Sequence, residues 1–222
     1  MRVRFVTLDK DIKEKRIPNG LILLISGVPG VGKTTISYNL LKQLPEFRII
    51  EETDILRDAL RGYNAMLFEK YGTALEEILK DTEIYSNQKL LSFSEAKQQC
   101  LLMKTSIEYI IARQQRKGIC TIINGVHIVP EALVELLNNP LIRFVNLYVS
   151  SEENLQERLG KRNPNSYMLD YIPFIYNTNI DLLNSTQKLA SVHSQSVFNI
   201  DVTSLDVDMT IQQVLTYITD QT

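Results

Sequence analysis

The segment from Gly27 to Thr34 restricts the possible folds of this chain more than any other feature. It reads Gly-Val-Pro-Gly-Val-Gly-Lys-Thr and matches the pattern G-x-x-x-x-G-K-[ST] at every fixed position. A short apolar run, Leu21–Ser26, precedes the segment, and a helical pattern from Lys33 to Leu44 follows it. A loop of this kind between a strand and a helix predicts the phosphate-binding loop (P-loop) of an α/β nucleotide-binding fold.

Short apolar runs alternate with helical patterns along the whole chain, which is typical of a parallel sheet covered by helices. The predicted strands are Leu21–Ser26, Arg48–Glu51, Ile119–Asn124, Ile142–Val149 and Val197–Ile200. Capping boxes at Ser92–Glu95 and Ser150–Glu153 predict two helix starts, and Pro130 is expected at the first position of another helix.

One connection is unusually long. About 66 residues separate Glu52 from Ile119, whereas a parallel crossover needs only a dozen or so. We therefore predict a single P-loop domain over residues 1–222, in which residues 53–118 include a helical cap on the substrate side and residues 158–170 form a lid.

Composition excludes several classes of protein. The chain has 24 Lys+Arg and 26 Asp+Glu, so it lacks the basic excess of a nucleic-acid-binding protein. The apolar run Leu21–Ile25 is too short to span a membrane, and the N-terminus has no signal-peptide pattern. Cys100 and Cys120 are expected to be buried thiols. We predict a cytoplasmic protein with no membrane or nucleic-acid partner; the sequence does not indicate its oligomeric state.

The P-loop residues predict the binding of ATP with Mg²⁺. Glycines allow backbone N–H groups to wrap a phosphate chain, and the helix that follows presents its N-terminus to the same phosphates. Lys33 is expected to bridge the terminal phosphates, and the hydroxyl of Thr34 to hold Mg²⁺. The predicted nucleotide-binding residues are Gly27, Val28, Pro29, Gly30, Val31, Gly32, Lys33, Thr34 and Thr35.

A second candidate group follows the second strand. Asp54, Arg57 and Arg61 are spaced to share one face of a helix at the carboxyl edge of the sheet, where α/β sheets bind ligands. Asp54 is suited to orient or deprotonate an acceptor hydroxyl or to hold Mg²⁺ through water, and the two arginines to bind a planar anion. The alternative is a solvated helix face whose charges, including Asp58, pair with one another.

Two further candidates follow the third and fourth strands. His127 is either a substrate contact or a hydrogen-bonded histidine beside the sheet, and Asn124 stands where P-loop enzymes usually have a carboxylate. Arg158, Lys161 and Arg162 form one cationic helix face. Arg158 and Arg162 are catalytic candidates that neutralise phosphoryl charge from a lid, and the alternative is that they complement the helix dipole.

Four segments together resemble 2-phosphoglycerate kinase and its relatives among the small P-loop kinases: Leu23–Thr35, Thr53–Arg61, Asn124–Pro130 and Arg158–Arg162. The resemblance implies a three-layer α/β fold of the nucleoside-monophosphate-kinase type, with a parallel five-stranded sheet in the order 2-3-1-4-5. It also implies ATP-dependent phosphorylation of a small hydroxyl-bearing acid that already carries a phosphate. Asn124 departs from the family, which commonly has an acidic residue there, and the exact acceptor does not follow from the fold.

We therefore predict transfer of the γ-phosphoryl group of Mg·ATP to a small anionic, 2-phosphoglycerate-like acceptor, with Lys33, Asp54, Arg158 and Arg162 as catalytic residues. Asp54, Arg57, Arg61 and His127 are the predicted acceptor-binding residues, and Thr34 and Asp54 the predicted metal ligands. Two alternatives stay open at this point. One is a nucleotide-binding regulatory ATPase or switch, which Asn124 favours, and the other is a kinase of nucleotides or polynucleotide ends.

Overall fold

Five parallel strands form the centre of the computed structural model, which describes residues 16–72 and 91–219. The strands are β1 (Ile22–Ser26), β2 (Phe47–Glu52), β3 (Cys120–Asn124), β4 (Ile142–Tyr148) and β5 (Val197–Asp201). Their order in the sheet is β2-β3-β1-β4-β5, and every neighbouring pair is parallel. The predicted fold class and strand order are confirmed. The prediction of a single domain over 1–222 stays a prediction, because it includes residues outside the described ranges.

Six α-helices surround the sheet in the described ranges: α1 (Lys33–Gln43), α2 (Thr53–Tyr71), α3 (Phe93–Arg116), α4 (Glu152–Arg162), α5 (Ile172–Ala190) and α6 (Val207–Thr219). Two 3-10 helices, Pro130–Asn138 and Tyr167–Tyr171, lie among the connections. Helices α2 and α3 belong to the predicted cap, whose residues 73–90 lie outside the described part of the chain.

Alternate residues of β1 point to opposite faces of the sheet and bury two separate apolar clusters. Leu23 and Ile25 pack in one cluster with residues of α1 and α6, whereas Ile22 and Leu24 pack in the other with residues of α3 and α5 and the first 3-10 helix. A strand buried on both faces reads as a continuous apolar run, which is why β1 could be recognised in the sequence. The two clusters fix the sheet, and with it the position of the loop that follows β1.

Two helix starts follow the sequence signals and one does not. Ser92 and Glu95 form the predicted capping box of α3, and Pro130 occupies the first turn of its helix, although that helix is 3-10. The predicted capping box at Ser150 is wrong, because Ser151 caps α4 and accepts a hydrogen bond from the N–H of Asn154. Ser150 instead forms hydrogen bonds with Thr203 beyond β5. Because of this contact with a distant segment, the helix is capped one residue later than predicted.

Candidate active site

The P-loop connects the buried strand β1 to α1 through backbone conformations that only glycine adopts readily. Gly32 precedes α1 with φ of 97°, and a Cβ on Gly27, whose φ is 139°, would lie 2.4 Å from the carbonyl oxygen of Leu147. No side chain caps α1, and its first turn holds no acidic residue. The N-terminus of α1 therefore keeps its positive dipole end available to an anion.

Lys33 folds back over the loop that precedes it. Its Nζ donates hydrogen bonds to the carbonyl oxygens of Gly27 at 2.8 Å and Val28 at 2.9 Å. Burial lowers the pKa of Lys33 to about 8; the negative charges of Asp54 and Glu52 act against this shift, and the positive charge of Arg162 adds to it. Lys33 therefore lies within the electrostatic reach of both candidate groups predicted outside the loop.

A cavity of about 480 Å³ lies on the α1 side of the loop, and we call it the P-loop cavity. Its wall includes every loop residue from Pro29 to Thr35, together with Arg158, Lys161 and Arg162 of α4. The opposite rim comes from the segment after β5, from Val202 to Thr210. The structure thus brings seven of the nine predicted nucleotide-binding residues, Pro29 to Thr35, and the cationic face of α4 around one space of a size that small ligands occupy.

The two arginines of this cavity differ in their contacts. The Arg158 guanidinium donates to Asn154 Oδ1 at 2.7 Å, to the carbonyl oxygen of Val202, and to that of Leu205 at 3.5 Å. Arg158 therefore ties α4 to the segment after β5. Arg162 has no hydrogen bond or ion pair within the described residues, and its charge acts on Lys33.

A second cavity, of about 410 Å³, lies on the other side of the loop beneath the described parts of the cap, and we call it the cap cavity. Gly27, Val28 and Pro29 line it on the P-loop side, and Asp54 and Arg57 of α2 lie beside them. The rest of its described wall comes from Leu91, Phe93, Ala96, Val126, Val129, Tyr167, Met168, Ile175, Thr178 and Leu182. Sequence reasoning missed these residues, because apolar wall residues read like ordinary core.

The charged residues at the start of α2 form a chain of pairs. Arg57 Nη1 lies 3.9 Å from Asp54 Oδ1, and Arg57 Nε lies 3.5 Å from Asp58 Oδ1. Arg61 pairs with Asp58 at 3.4 Å and does not line the cap cavity. Both of the readings that the sequence left open therefore apply in part, because Asp54 and Arg57 face the cavity whereas Arg61 belongs to the paired helix face.

His127 lies behind the cavity wall instead of in it. The side chain is fully buried, and its Nδ1 lies 3.1 Å from Thr53 Oγ1 and 3.6 Å from Asp54 Oδ1. Burial is the main cause that lowers the pKa of His127 to about 4, so the ring is neutral at pH 7. The predicted direct contact of His127 with an acceptor does not fit this burial; the ring supports the residues that begin α2.

Gly125 explains how this turn packs so closely against α2. A Cβ at Gly125 would lie 1.7 Å from Thr53 Oγ1, so no other residue fits here without a shift of Thr53 at the start of α2. The neighbouring Asn124 is buried, and its amide donates to Ser37 Oγ at 3.0 Å. Asn124 therefore links β3 to α1 and lines neither cavity.

Glu52 is an acidic residue that sequence reasoning missed. It ends β2 directly beside Asn124 of β3, and its negative charge, like that of Asp54, acts on Lys33. The spacing Glu-x-Asp, formed by Glu52 and Asp54 at the carboxyl edge of the sheet, could have indicated Glu52 in the sequence.

Within the described ranges, no cluster of three or more His, Cys, Asp or Glu side chains is placed to hold a metal ion. Two carboxylates and the Thr34 hydroxyl nevertheless fit Mg²⁺, which keeps several waters and binds proteins through few ligands together with phosphates.

The curated proteins that are similar in sequence to this chain share one name. A protein of Methanococcus maripaludis (strain C5), named 2-phosphoglycerate kinase, is 33% identical over 153 residues, which cover 65% of this chain and 48% of that protein. A 2-phosphoglycerate kinase of Methanococcus vannielii is 28% identical over 230 residues, covering 96% of this chain and 71% of that protein. The predicted resemblance to the 2-phosphoglycerate kinase family is confirmed. This chain spans about half the length of several of these relatives.

Solved structures show the same fold. A shikimate kinase from Acinetobacter baumannii in complex with shikimate matches with a TM-score of 0.50 and 17% identity, over 92% of this chain and 94% of that one. Similarity at this identity establishes the fold alone. No protein-family model matches the chain. Among the helices described, none is long and apolar enough to cross a membrane.

Proposed function

We propose that this protein is an ATP-dependent kinase that phosphorylates a hydroxyl group of a small anionic metabolite. One observation carries the proposal: the P-loop lies between two cavities, and Pro29 lines both of them. Direct phosphoryl transfer needs a donor site and an acceptor site that meet at the terminal phosphate of the nucleotide. The names of the curated relatives support this proposal and make 2-phosphoglycerate the reference acceptor.

In the proposed reaction, the P-loop cavity holds the nucleotide and the cap cavity holds the acceptor. The acceptor hydroxyl oxygen forms a bond to the γ-phosphorus while the bond from that phosphorus to the β,γ-bridging oxygen breaks. The hydroxyl proton passes to the carboxylate of Asp54, and ADP is released. Lys33 leaves its carbonyl partners for the phosphate oxygens, and Arg162 adds positive charge beside them.

The proposed roles of the remaining residues follow from their contacts. Arg57 binds the anionic group of the acceptor, and Arg158 shapes the P-loop cavity through its bonds to carbonyl oxygens. Thr34, Glu52 and Asp54 would hold Mg²⁺, which neutralises phosphate charge when it is bound. Arg61 and His127 act through their neighbours and do not touch the acceptor.

A panel of acceptors incubated with Mg·ATP tests the proposal. We expect ADP release above the basal rate with at least one small hydroxy acid, and the phosphorylated product should be detected by mass spectrometry. ADP that appears only with a protein partner would support the switch alternative instead. Transfer only to nucleotides or polynucleotide ends would support the third reading. Either result would contradict the proposal.

A further inference from the structure

The first turn of α2 has no side-chain cap of its own. Glu52 ends β2 and Thr53 begins α2 with no residue between them, and no side chain accepts a capping hydrogen bond at this helix start. Thr53 itself is buried, with 1% of its surface exposed. The position of this turn, which carries Asp54 and Arg57, therefore depends on what Thr53 contacts.

Two residues of the turn after β3 contact the hydroxyl of Thr53. Gly125 packs so closely that a Cβ there would lie 1.7 Å from Thr53 Oγ1. His127 Nδ1 lies 3.1 Å from the same oxygen, which is hydrogen-bond distance, and its ring is fully buried. A glycine and a histidine two residues apart thus both hold one atom at the start of α2.

The carboxylate of Asp54 faces the same ring nitrogen. Its Oδ1 lies 3.6 Å from His127 Nδ1, which is too long for a hydrogen bond but close enough for the ring dipole to act on the carboxylate. Arg57 Nη1 approaches the same oxygen at 3.9 Å. One oxygen of Asp54 therefore faces His127 and Arg57, and the other, Oδ2, is the one for an acceptor hydroxyl in the cap cavity that Asp54 lines.

The surroundings of the His127 ring indicate which nitrogen carries its proton. The ring is neutral at pH 7, so it has a single N–H. Nδ1 faces a hydroxyl oxygen and a carboxylate oxygen, and an ionised carboxylate can only accept. Nε2 is buried with no hydrogen-bond partner among the described residues. A proton on Nδ1 therefore has an acceptor and an attractive charge beside it, which favours this tautomer.

On the basis of the proposed function, we infer that His127, with its proton on Nδ1, is a positioning residue for Asp54. The ring N–H donates to Thr53 Oγ1 and fixes the first turn of α2. Its dipole orients Asp54 Oδ1, so that Oδ2 meets the acceptor hydroxyl and takes its proton. Loss of this contact should slow transfer and leave nucleotide binding unchanged, because His127 touches neither cavity.

Nitrogen NMR tests the tautomer without a catalytic assay. The chain has 2 histidines, His127 and His193, so a protein that carries the heavy nitrogen isotope in histidine gives two sets of ring correlations. The variant His193→Gln assigns them. We expect the proton of His127 to lie on Nδ1 at pH 7. A proton on Nε2 would overturn the inference.

Removal of the Thr53 hydroxyl tests the contact through catalysis, with 2-phosphoglycerate as the acceptor. Thr53→Val keeps the shape of the side chain and should lower kcat by about tenfold, with KM for ATP within about twofold of the unmodified protein. Thr53→Ser keeps the hydroxyl and should keep kcat within about threefold. Thr186→Val removes a buried, hydrogen-bonded hydroxyl outside both cavities and should leave kcat unchanged. Equal kcat for the two Thr53 variants would contradict the inference.

Two amide variants of His127 separate positioning from packing. The amide nitrogen of asparagine can take the place of Nδ1, whereas that of glutamine reaches the place of Nε2. We expect kcat of His127→Asn to exceed that of His127→Gln by about fivefold, although glutamine is closer to histidine in size. Equal kcat in the two folded variants would contradict positioning through Nδ1. If either variant does not fold, the tautomer and the Thr53 variants decide.

The outcomes separate the inference from the proposed function. If the proton lies on Nδ1 but the unmodified protein phosphorylates no acid, the kinase proposal is wrong, and the contact of His127 with Thr53 stands without a catalytic role. If an acid is phosphorylated but Thr53→Val transfers as fast as Thr53→Ser, the inference is wrong and the kinase proposal stands.

Discussion

The two cavities on either side of the P-loop are built in different ways. The wall of the P-loop cavity is mostly two continuous segments, the loop with the start of α1 and the segment after β5, completed by charges on α4. The cap cavity collects single residues from α2, α3, the turn after β3, the second 3-10 helix and α5. A site built from backbone in one segment can be read from a sequence motif, whereas a site assembled from scattered apolar side chains cannot.

The largest expected effect is on the P-loop side. We expect Lys33→Ala to lower the acceptor-dependent rate at least a hundredfold, because the charge that contacts the transferring phosphate is lost. Lys42→Ala removes a lysine from the same helix outside both cavities and should leave the rate within twofold of the unmodified protein. Steady-state ADP release measures both variants. Near-normal turnover by Lys33→Ala would refute the assignment of the donor site.

A comparable loss is expected at the polar end of the cap cavity. Asp54→Asn should lower kcat by about a hundredfold, because the side chain can no longer accept the hydroxyl proton. Asp181→Asn, an exposed aspartate on α5 outside both cavities, is the matched control. Equal rates for the two variants would mean that Asp54 does not act in transfer.

The contact between Gly125 and Thr53 predicts a loss of stability. Gly125→Ala should lower the free energy of unfolding by about 2–3 kcal/mol, because the new Cβ overlaps Thr53 Oγ1. Urea unfolding measures the change. Gly160→Ala lies in α4 with open space around it, and it should be neutral or stabilise the protein by up to about 1 kcal/mol. If Gly125→Ala is as stable as Gly160→Ala, α2 does not pack on this turn as described.

A smaller effect on KM should distinguish Arg57 from Arg61, the two arginines near the start of α2. Arg57→Met should raise KM for the acceptor about tenfold and leave KM for ATP unchanged, because Arg57 lines only the cap cavity. Arg61→Met removes a residue that pairs with Asp58 outside the cavity, so its expected change is less than threefold. A larger effect of Arg61→Met than of Arg57→Met would reverse the assignment of the acceptor side.

The last expected effect concerns the dependence of stability on pH. His127 has a pKa of about 4 in the folded protein, below its ordinary value of 6.5, so the unfolded chain binds more protons between these values. Stability is therefore retained above pH 6.5 and falls as pH decreases toward 4, by roughly 1–3 kcal/mol. In urea unfolding, His127→Gln should show a smaller decrease, whereas His193→Gln should match the unmodified protein. An identical decrease in both variants would contradict the burial of His127.

The sequence could predict the sheet because its buried central strands β1, β3 and β4 are local, largely apolar runs. It could also predict the residues of the P-loop cavity from Pro29 to Thr35, because they are consecutive in the chain and belong to one motif. The sequence also placed Asp54 and Arg57 at the carboxyl edge of the sheet, because they follow the second strand and are spaced to share one helix face. It could not separate Arg61 from Arg57, because both pair with Asp58 and only the three-dimensional structure shows that Arg57 lines the cap cavity.

Other parts of the site depend on contacts between distant segments. The role of His127 became visible only when β3 and α2 were brought together at Thr53. The amide of Asn124 reaches Ser37 on α1, which explains a polar residue that otherwise reads as a missing metal ligand. Ile175 and Leu182 carry no such signal in the sequence, because a buried isoleucine or leucine beside a cavity has the same pattern as one within the core.

A structure of the protein with Mg²⁺ and a non-hydrolysable ATP analogue would test the central claim most directly. The account predicts that the phosphate chain lies along the loop from Gly27 to Thr34, with Lys33 Nζ moved from the carbonyl oxygens of Gly27 and Val28 to the terminal phosphates. The γ-phosphate should face the cap cavity beside Asp54. A nucleotide bound elsewhere, or a γ-phosphate that points away from the cap cavity, would contradict it.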